Sequence, residues 1–258
     1  MNRLLILLLL LLSISIIGCN KGKKIWDNGL TKSAEEITEY TIRVEEDSLK
    51  NEIRDTLLIA IKKYRDDDQL ALQTRRTLFD NEQVEIEYVY DYFDRLKQEI
   101  VKMSTDSLPF RVNYSYKNSL LFQSSGILDN ETERFEQIET HYYRNDVSKE
   151  KSIMRQIFLD KETNDTIRNS TVNTYFNTEE KVDSILSFNL GRQGQSRKAV
   201  YEFDGKNFIE LKEYNDTDSL LSNQKFDYKM DEFDNWTEKK VIENGILKRI
   251  IIREIKYK

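Results

Sequence analysis

The chain of 258 residues carries 40 basic and 46 acidic side chains, a net charge of −6, and a single cysteine. That mildly acidic balance excludes a nucleic-acid partner, which would call for clustered basic residues, and one cysteine excludes an internal disulfide framework. Aromatic residues make up 11% of the chain, and disordered chains are poor in them, so a folded body is expected that stands on strand pairing and aromatic packing.

The first segment has the anatomy of a secretory signal: a basic start at Arg3, a leucine run over 4–12, and Ser13 to Gly18 ahead of Cys19. It falls short of the roughly 20 apolar residues a bilayer-crossing helix needs. The quartet Ile16-Ile17-Gly18-Cys19 resembles the lipobox of bacterial lipoproteins. The resemblance implies cleavage between Gly18 and Cys19 and acylation of Cys19, with palmitate-type chains, on its thiol and new amino group. It also gives the lone cysteine a use. The expected organisation is a helical signal peptide over 1–18, an anchor and tether over 19–33, and a single repeat-built β domain over 34–258. Lys21, Lys23 and Lys24 read as a solvated tether. The mature start lacks the acidic run that resembles a surface-export tag, so the expected location is the outer membrane, lipid-anchored and facing the periplasm.

Along the body, apolar residues fall on alternate positions, the mark of strands with one buried face. Ser33 to Arg43 carries a helix-capping pattern at Ser33 and Glu36, but Tyr40, Ile42 and Val44 alternate, and strand is expected. Val84, Ile86, Tyr88 and Tyr90 form a second stripe. Tyr92, Leu96, Ile100 and Met103 also fit helical spacing, yet β signals surround them and strand is expected there too. Phe110, Val112, Tyr114 and Tyr116 follow, then Leu186, Phe188 and Leu190, then Phe226, Tyr228 and Met230. Turn-forming clusters separate the stripes at 66–68, 129–130, 164–166 and 215–218. Asn244-Gly245 is the strongest two-residue hairpin signal, joining 236–243 to 246–257. Such a hairpin places Ile242 opposite Leu247 and Trp236 opposite Arg253, with the arginine stacked on the indole as a packing anchor.

A motif repeats beneath this pattern. Tyr88-Val89-Tyr90-Asp91-Tyr92-Phe93-Asp94 aligns with Tyr228-Lys229-Met230-Asp231-Glu232-Phe233-Asp234, which Trp236 follows, and a shorter copy runs from Tyr201 through Asp204 to Phe208. An aromatic ends one strand, an aspartate opens a turn, and an apolar residue restarts the chain. The motif resembles the YD repeat of RHS-type proteins and, more closely, small Bacteroidota lipoproteins with RHS-like repeats. Glycine of that family's turn is replaced here by Asp94, Asp218 and Asp234. The resemblance implies architecture and no established activity.

No catalytic constellation emerges. His141 is the only histidine and reads as a strand residue. Zinc is not expected, since one histidine cannot make a normal site and the cysteine is taken by lipid. The oxygen-rich stretches 66–68 and 216–218 lack the glycine of a calcium loop and read as solvated turns. No metal or other cofactor is expected. The predicted fold is all-β, an antiparallel meander of hairpins forming a long twisted or half-barrel sheet with charged edges. The predicted function is a non-enzymatic envelope lipoprotein, a binding or scaffold module attached to the membrane through Cys19, its protein or glycan partner unspecified. The alternatives are an immunity-type protein binding a periplasmic toxin, and a carboxylate-based hydrolase with two acids of shifted pKa in a cleft.

Overall fold

The computed structural model describes residues 30, 32–46, 51–104, 108–129, 133–144, 148–189, 196–205 and 207–258. The predicted signal helix, the cleavage residues Ile16, Ile17 and Gly18, and Cys19 lie outside them. The strands are β1 (Ala34–Glu46), β2 (Glu52–Tyr64), β3 (Leu70–Thr77), β4 (Gln83–Tyr90), β5 (Leu96–Met103), β6 (Phe110–Lys117), β7 (Leu120–Asp129) and β8 (Glu133–Arg144). There follow β9 (Ser148–Asp160), β10 (Thr166–Phe176), β11 (Val182–Asn189), β12 (Ser196–Asp204), β13 (Asn207–Tyr214), β14 (Leu220–Met230), β15 (Trp236–Glu243) and β16 (Ile246–Tyr257). Every strand pairs antiparallel with its chain neighbours, and β1 pairs with β16, closing a barrel of 16 strands.

Closure corrects the expected open or half-barrel sheet. Neither terminal strand is an edge: Ile37 faces Ile255, Glu39 faces Arg253 and Arg43 faces Arg249 across the seam. The charges expected to guard edges against association face each other instead, and a ring removes the edge problem outright.

Directly paired residues share a face, so the register carries one inward set around the wall. On β4 and β5 it comprises Val84, Ile86, Tyr88, Glu99, Val101 and Met103. On β6 it is Phe110, Val112 and Tyr114, and on β8 Phe135, Gln137, Glu139 and His141. These inward residues include the buried core Leu70, Val84, Ile86, Tyr88, Leu96, Val101, Phe110, Val112, Phe135 and Phe158. Phe135 lies 5.6 Å from Phe110 and 4.6 Å from Phe158, centroid to centroid. Rings of 16 strands are wide enough for water, but the inner face of β3–β9 is packed with side chains.

The outer face mixes charged side chains with apolar ones such as Ile61, Ile100, Ile138 and Ile153. Lys102 Nζ bridges Glu87 at 2.6 Å and Glu85 at 3.3 Å across β4 and β5. Lys212 Nζ bridges Glu210 at 2.7 Å and Glu202 at 3.0 Å across β12 and β13. Asp227 opposite Lys240, and Lys229 opposite Glu238, continue the pattern on β14 and β15. A lipid-facing charge costs about 2–4 kcal/mol near the bilayer midplane. The charged pairs on these hairpins are positions that lipid would penalise.

The turns explain the repeat. In 91–95, 177–181, 215–219 and 231–235 the first residue accepts from the backbone N–H groups two and four positions on: Asp91 from Phe93 and Arg95, Asp231 from Phe233 and Asn235. Asn177 and Asn215 do the same. The fourth residue is left-handed, with φ of 55° at Asp94, 61° at Glu180, 57° at Asp218 and 57° at Asp234. Aspartate thus occupies the conformation for which glycine is the usual choice. Asn244 and Gly245 both have positive φ, 50° and 84°, as the two-residue hairpin requires. Both ambiguous segments are extended, in β1 and β5, with 91–95 forming the turn between β4 and β5.

On four hairpins the restarting strand carries a bulge, at Leu70, Leu96, Leu121 and Phe208. A bulge leaves a carbonyl out of the ladder. Each carbonyl accepts from a tyrosine at the end of the next strand: Tyr90 to Leu70 at 2.8 Å, Tyr116 to Leu96 at 2.8 Å, Tyr143 to Leu121 at 2.8 Å and Tyr228 to Phe208 at 2.7 Å.

Candidate functional site inside the barrel

Buried polar side chains gather on one stretch of the inner wall. Along paired β8 and β9 the inward rows run from Phe135 opposite Phe158, through Gln137 opposite Gln156 and Glu139 opposite Met154, to His141 opposite Ser152 and Tyr143 opposite Lys149. The apolar end lies toward the rim that carries the β7–β8 and β9–β10 connections. The polar end lies toward the rim where β1 starts and β16 ends. Period-two alternation puts all these residues on one face, and Phe110, Phe135 and Phe158 pack together at its apolar end.

Gln156 Nε2 donates to Gln137 Oε1 at 3.1 Å, and Ser170 Oγ donates to Gln156 Oε1 at 3.1 Å, so the amide row is internally paired. The acidic row is not. Tyr114 donates to Glu99 Oε1 at 2.8 Å, while Glu99 Oε2 has no protein partner. Ser152 bonds the Glu139 carboxylate, yet Glu139 Oε1 is left over. His141 Nδ1 is 3.9 Å from that oxygen, beyond hydrogen-bond range, and both imidazole nitrogens are without a protein partner. A buried polar atom left unpaired costs about 1–3 kcal/mol, so these atoms mark a place where something small and polar belongs.

Burial sets the charge states. It raises Glu99 to about 7, Tyr114 and Arg75 pulling the other way and Glu139 adding to the rise. Burial also raises Glu139, against Lys149 and Ser152. Burial lowers His141 to about 2, helped by the Lys149 ammonium, so the imidazole is neutral at any physiological pH. The strip therefore offers a neutral imidazole, carboxyls able to hold protons, amides and hydroxyls. Among the described residues no group of three or more His, Cys, Asp or Glu side chains could hold a metal ion.

Glu99 makes stability depend on pH. Its folded value lies above the ordinary 4.5, so the folded protein keeps the proton while the unfolded chain releases it. Its effect is neutral below about pH 4.5, turns destabilising as pH rises toward 7, and is complete above 7, where it amounts to about 3 kcal/mol. Glu99→Gln keeps an acceptor for Tyr114 and removes the ionisation. Denaturant unfolding should show it more stable than wild type at pH 8 and equal to it at pH 5; the same gap at both values would refute the buried-acid account.

The hydrolase expectation fails on access. Glu99 and Glu139 are both raised, but Glu99 is 0% exposed and Glu139 is buried, so neither lies in a cleft that a glycan could enter.

The repeat residues serve the scaffold. Tyr88 is buried, its hydroxyl 3.3 Å from Gln73 Oε1, whereas Tyr228, its partner in the sequence alignment, caps the Phe208 carbonyl. Tyr90 does in β4 what Tyr228 does in β14, so the alignment pairs the wrong tyrosine. Tyr201 stacks on Phe208 at 5.2 Å, and Asp204 ends β12 before Gly205, whose φ is 53°. Asp91 and Asp231 hold turns, Asp94 and Asp234 supply left-handed corners, and Trp236 lies under Arg253. The Asp66-Asp67-Asp68 turn is tied by Asp67 to the Gln69 N–H and by Asp68 to Lys258 at 2.8 Å. The inner strip escaped sequence reasoning because its members are scattered over five strands. The one available signal was polar residues on otherwise apolar alternation, Glu99 in line with Val101 and Met103 on β5 and Gln137–Glu139–His141 in series on β8.

No protein-family model matches the chain, and no curated protein does. Among solved structures, a porin-like protein from Bacteroides vulgatus is similar with a TM-score of 0.53 at 11% identity, over 88% of this chain and 99% of that one. A porin-like protein from Bacteroides uniformis is similar with a TM-score of 0.40 at 11% identity, over 86% of this chain and 96% of that one. At this identity the Bacteroides vulgatus likeness is one of fold, a barrel. Together with the closed ring it overturns the expected repeat scaffold: the sheet has no free edge on which such a module would build.

Proposed function

We propose that the protein is a water-facing barrel of the outer membrane's inner surface, tethered there by acylated Cys19, and that it keeps a small polar molecule on its inner strip. It is a vessel and not a pore or a catalyst. The single observation that carries this reading is the set of buried atoms without protein partners, Glu99 Oε2, Glu139 Oε1 and both nitrogens of His141, on one inward stretch. The charged outer wall supports a barrel beside the membrane and not across it. The lipobox-like quartet at 16–19 supports the anchor. The recurring bulge and tyrosine latch support a barrel built from repeated hairpins.

Such a strip suits a neutral molecule with donors and acceptors in close alternation, because the imidazole is uncharged and the carboxyls can be protonated. Native mass spectrometry of the purified Cys19→Ser chain tests this. A small-molecule adduct is expected in that background and lost when His141→Phe is added. A bare polypeptide mass, with ordered waters alone satisfying the four atoms in a crystal, would sink the reading.

A further inference from the structure

Tyr92 and Phe93 form the tip of the β4–β5 turn and are 94% and 69% exposed, one ring edge-on to the other at 5.5 Å. Two adjacent aromatics in water forgo about 1.5–3 kcal/mol each that burial would return. They are not there by looseness of the chain. Asp91 Oδ1 accepts from the Phe93 and Arg95 N–H groups, Arg95 Nε donates to Asp91 Oδ2 at 2.8 Å, and Asp94 takes the left-handed corner. Gln69 Nε2 donates to the Asp94 carbonyl at 3.1 Å, and fastens this turn to the β2–β3 turn. That turn is in turn bound by Lys258 Nζ through Asp68. The rings are thus held out from a rigid rim.

The same architecture at 231–235 places Phe233 where Phe93 stands. Phe233 is covered: it packs edge-on against Tyr257 at 4.9 Å, with Lys32 Nζ 3.9 Å above its ring. Lys32 is the approach of the N-terminal segment, and Lys258 N donates to Ser33 O beside it. The chain therefore joins the barrel on the rim that carries Tyr92 and Phe93. From Cys19 the stretch 20–33 spans at most roughly 45–50 Å, so a bilayer that holds Cys19 lies within reach of this rim.

We propose that the Tyr92-Phe93 turn is a membrane foot, whose two rings seat in the headgroup layer of the bilayer that holds the anchor. The inference rests on the anchoring of Cys19 proposed above. Tyrosine suits that depth, with an apolar body and a hydroxyl that stays wet. Asp66, Asp67 and Asp94 flank the turn, so attraction to anionic lipid is not the driving force; ring insertion is, and it is insensitive to salt. The opposite rim also exposes apolar residues, with Leu78 beside Phe79 and Leu220 beside Leu221 as well as Ile53 and Ile246, but none of these hairpins pairs two aromatic rings and none adjoins the tether. Phe79, at 62% exposure, is the natural comparison.

Because Cys19 is the only cysteine and is consumed by acylation, a cysteine introduced elsewhere can be labelled alone. Full-length acylated Phe93→Cys and Phe79→Cys, each carrying an environment-sensitive nitrobenzoxadiazole dye, would be placed on vesicles of phosphatidylethanolamine and phosphatidylglycerol containing nitroxide-labelled lipid. The dye at position 93 should shift to the blue and be quenched by the nitroxide, unchanged by added salt, while the dye at 79 should remain as in water. Position 93 as wet as 79, position 79 quenched as strongly as 93, or position 93 buried before vesicles are added would overturn the foot. Mass spectrometry of the N-terminal peptide separates the two ideas. Acylated Cys19 with a water-exposed position 93 refutes the foot alone, and unacylated Cys19 refutes the anchor and the foot with it.

Discussion

Arg253→Met should lower the unfolding free energy by about 3–5 kcal/mol at pH 7, the usual cost of stripping one partner from a buried ion pair. Arg253 donates through Nε and Nη2 to Glu39 Oε1, at 3.0 and 2.6 Å, while Lys62 Nζ stands 3.1 Å from the other oxygen. Its guanidinium lies 3.4 Å above the Trp236 ring. One side chain of β16 thus engages β1 and β15, with β2 joined through Glu39, and holds the seam that makes the barrel a ring. Burial alone would raise the Glu39 carboxyl, but Lys62 and Arg253 outweigh it and hold it at about 2. A lowered carboxyl contributes stability in full above its unfolded value near 4.5 and loses it as pH falls toward 2. The gap between wild type and Arg253→Met, read by urea denaturation, should therefore be widest above pH 5 and narrow as pH approaches 2–3. Lys240→Met, at an exposed ion pair on the outer wall, serves as control and should change stability by about 0.5 kcal/mol or less. An Arg253→Met loss no larger than the control's would show that the seam does not depend on this cluster.

Gly126→Ala should cost about 3 kcal/mol, the upper end of what overpacking a core does. Gly126 sits inward on β7 between Val112 of β6 and Gln137 of β8. A methyl group there would stand 2.5 Å from Phe110 Cζ, 2.8 Å from Cε2 and 2.9 Å from the Arg111 carbonyl oxygen. Phe110 is 1% exposed and packs against Phe135, so its ring has nowhere to swing, and the carbonyl belongs to the ladder. The glycine is kept for the close approach of the ring and not for its backbone freedom. Trimming the ring should then relieve the clash. Phe110→Leu and Gly126→Ala combined should be less damaging than the sum of the two by more than about 1 kcal/mol, as for residues in direct contact. Additive losses would mean that the alanine harms β7 in some other way.

The functional consequences divide along the same geometry. The outer wall mixes charged and apolar side chains, the inner strip lies beside the buried aromatics, and among the described residues adjacent exposed rings occur on the tether rim. Each of these depends on which face of a strand a residue occupies, and that assignment required the register. The alignment of Tyr88 with Tyr228 shows the limit. Sequence similarity placed the two together, but the bulges at Leu70 and Phe208 decide which tyrosine meets an unpaired carbonyl, and on β4 that is Tyr90. The stacking of Arg253 on Trp236 was legible from the Asn244-Gly245 hairpin. The strict pairing was not: Ile242 does face Leu247, but a bulge beyond it puts Glu238 opposite Ile252, so the arginine reaches the indole obliquely.

Interactions among residues close in the chain were decided by the sequence itself: which stretches are extended, where Asp91, Asn215 and Asp231 open turns, and where Asn244-Gly245 reverses the chain. The reason is physical, since alternation and side-chain-to-backbone bonds act over two to five residues. Closure was decided only in three dimensions. Glu39 and Arg253 lie 214 positions apart, an alternating strand reads the same in an open sheet as in a ring, and only the accumulated twist and coil of the whole wall brings β1 beside β16. The inner polar strip also needs tertiary structure, because residues scattered over β5 to β10 come together only through the register of neighbouring strands.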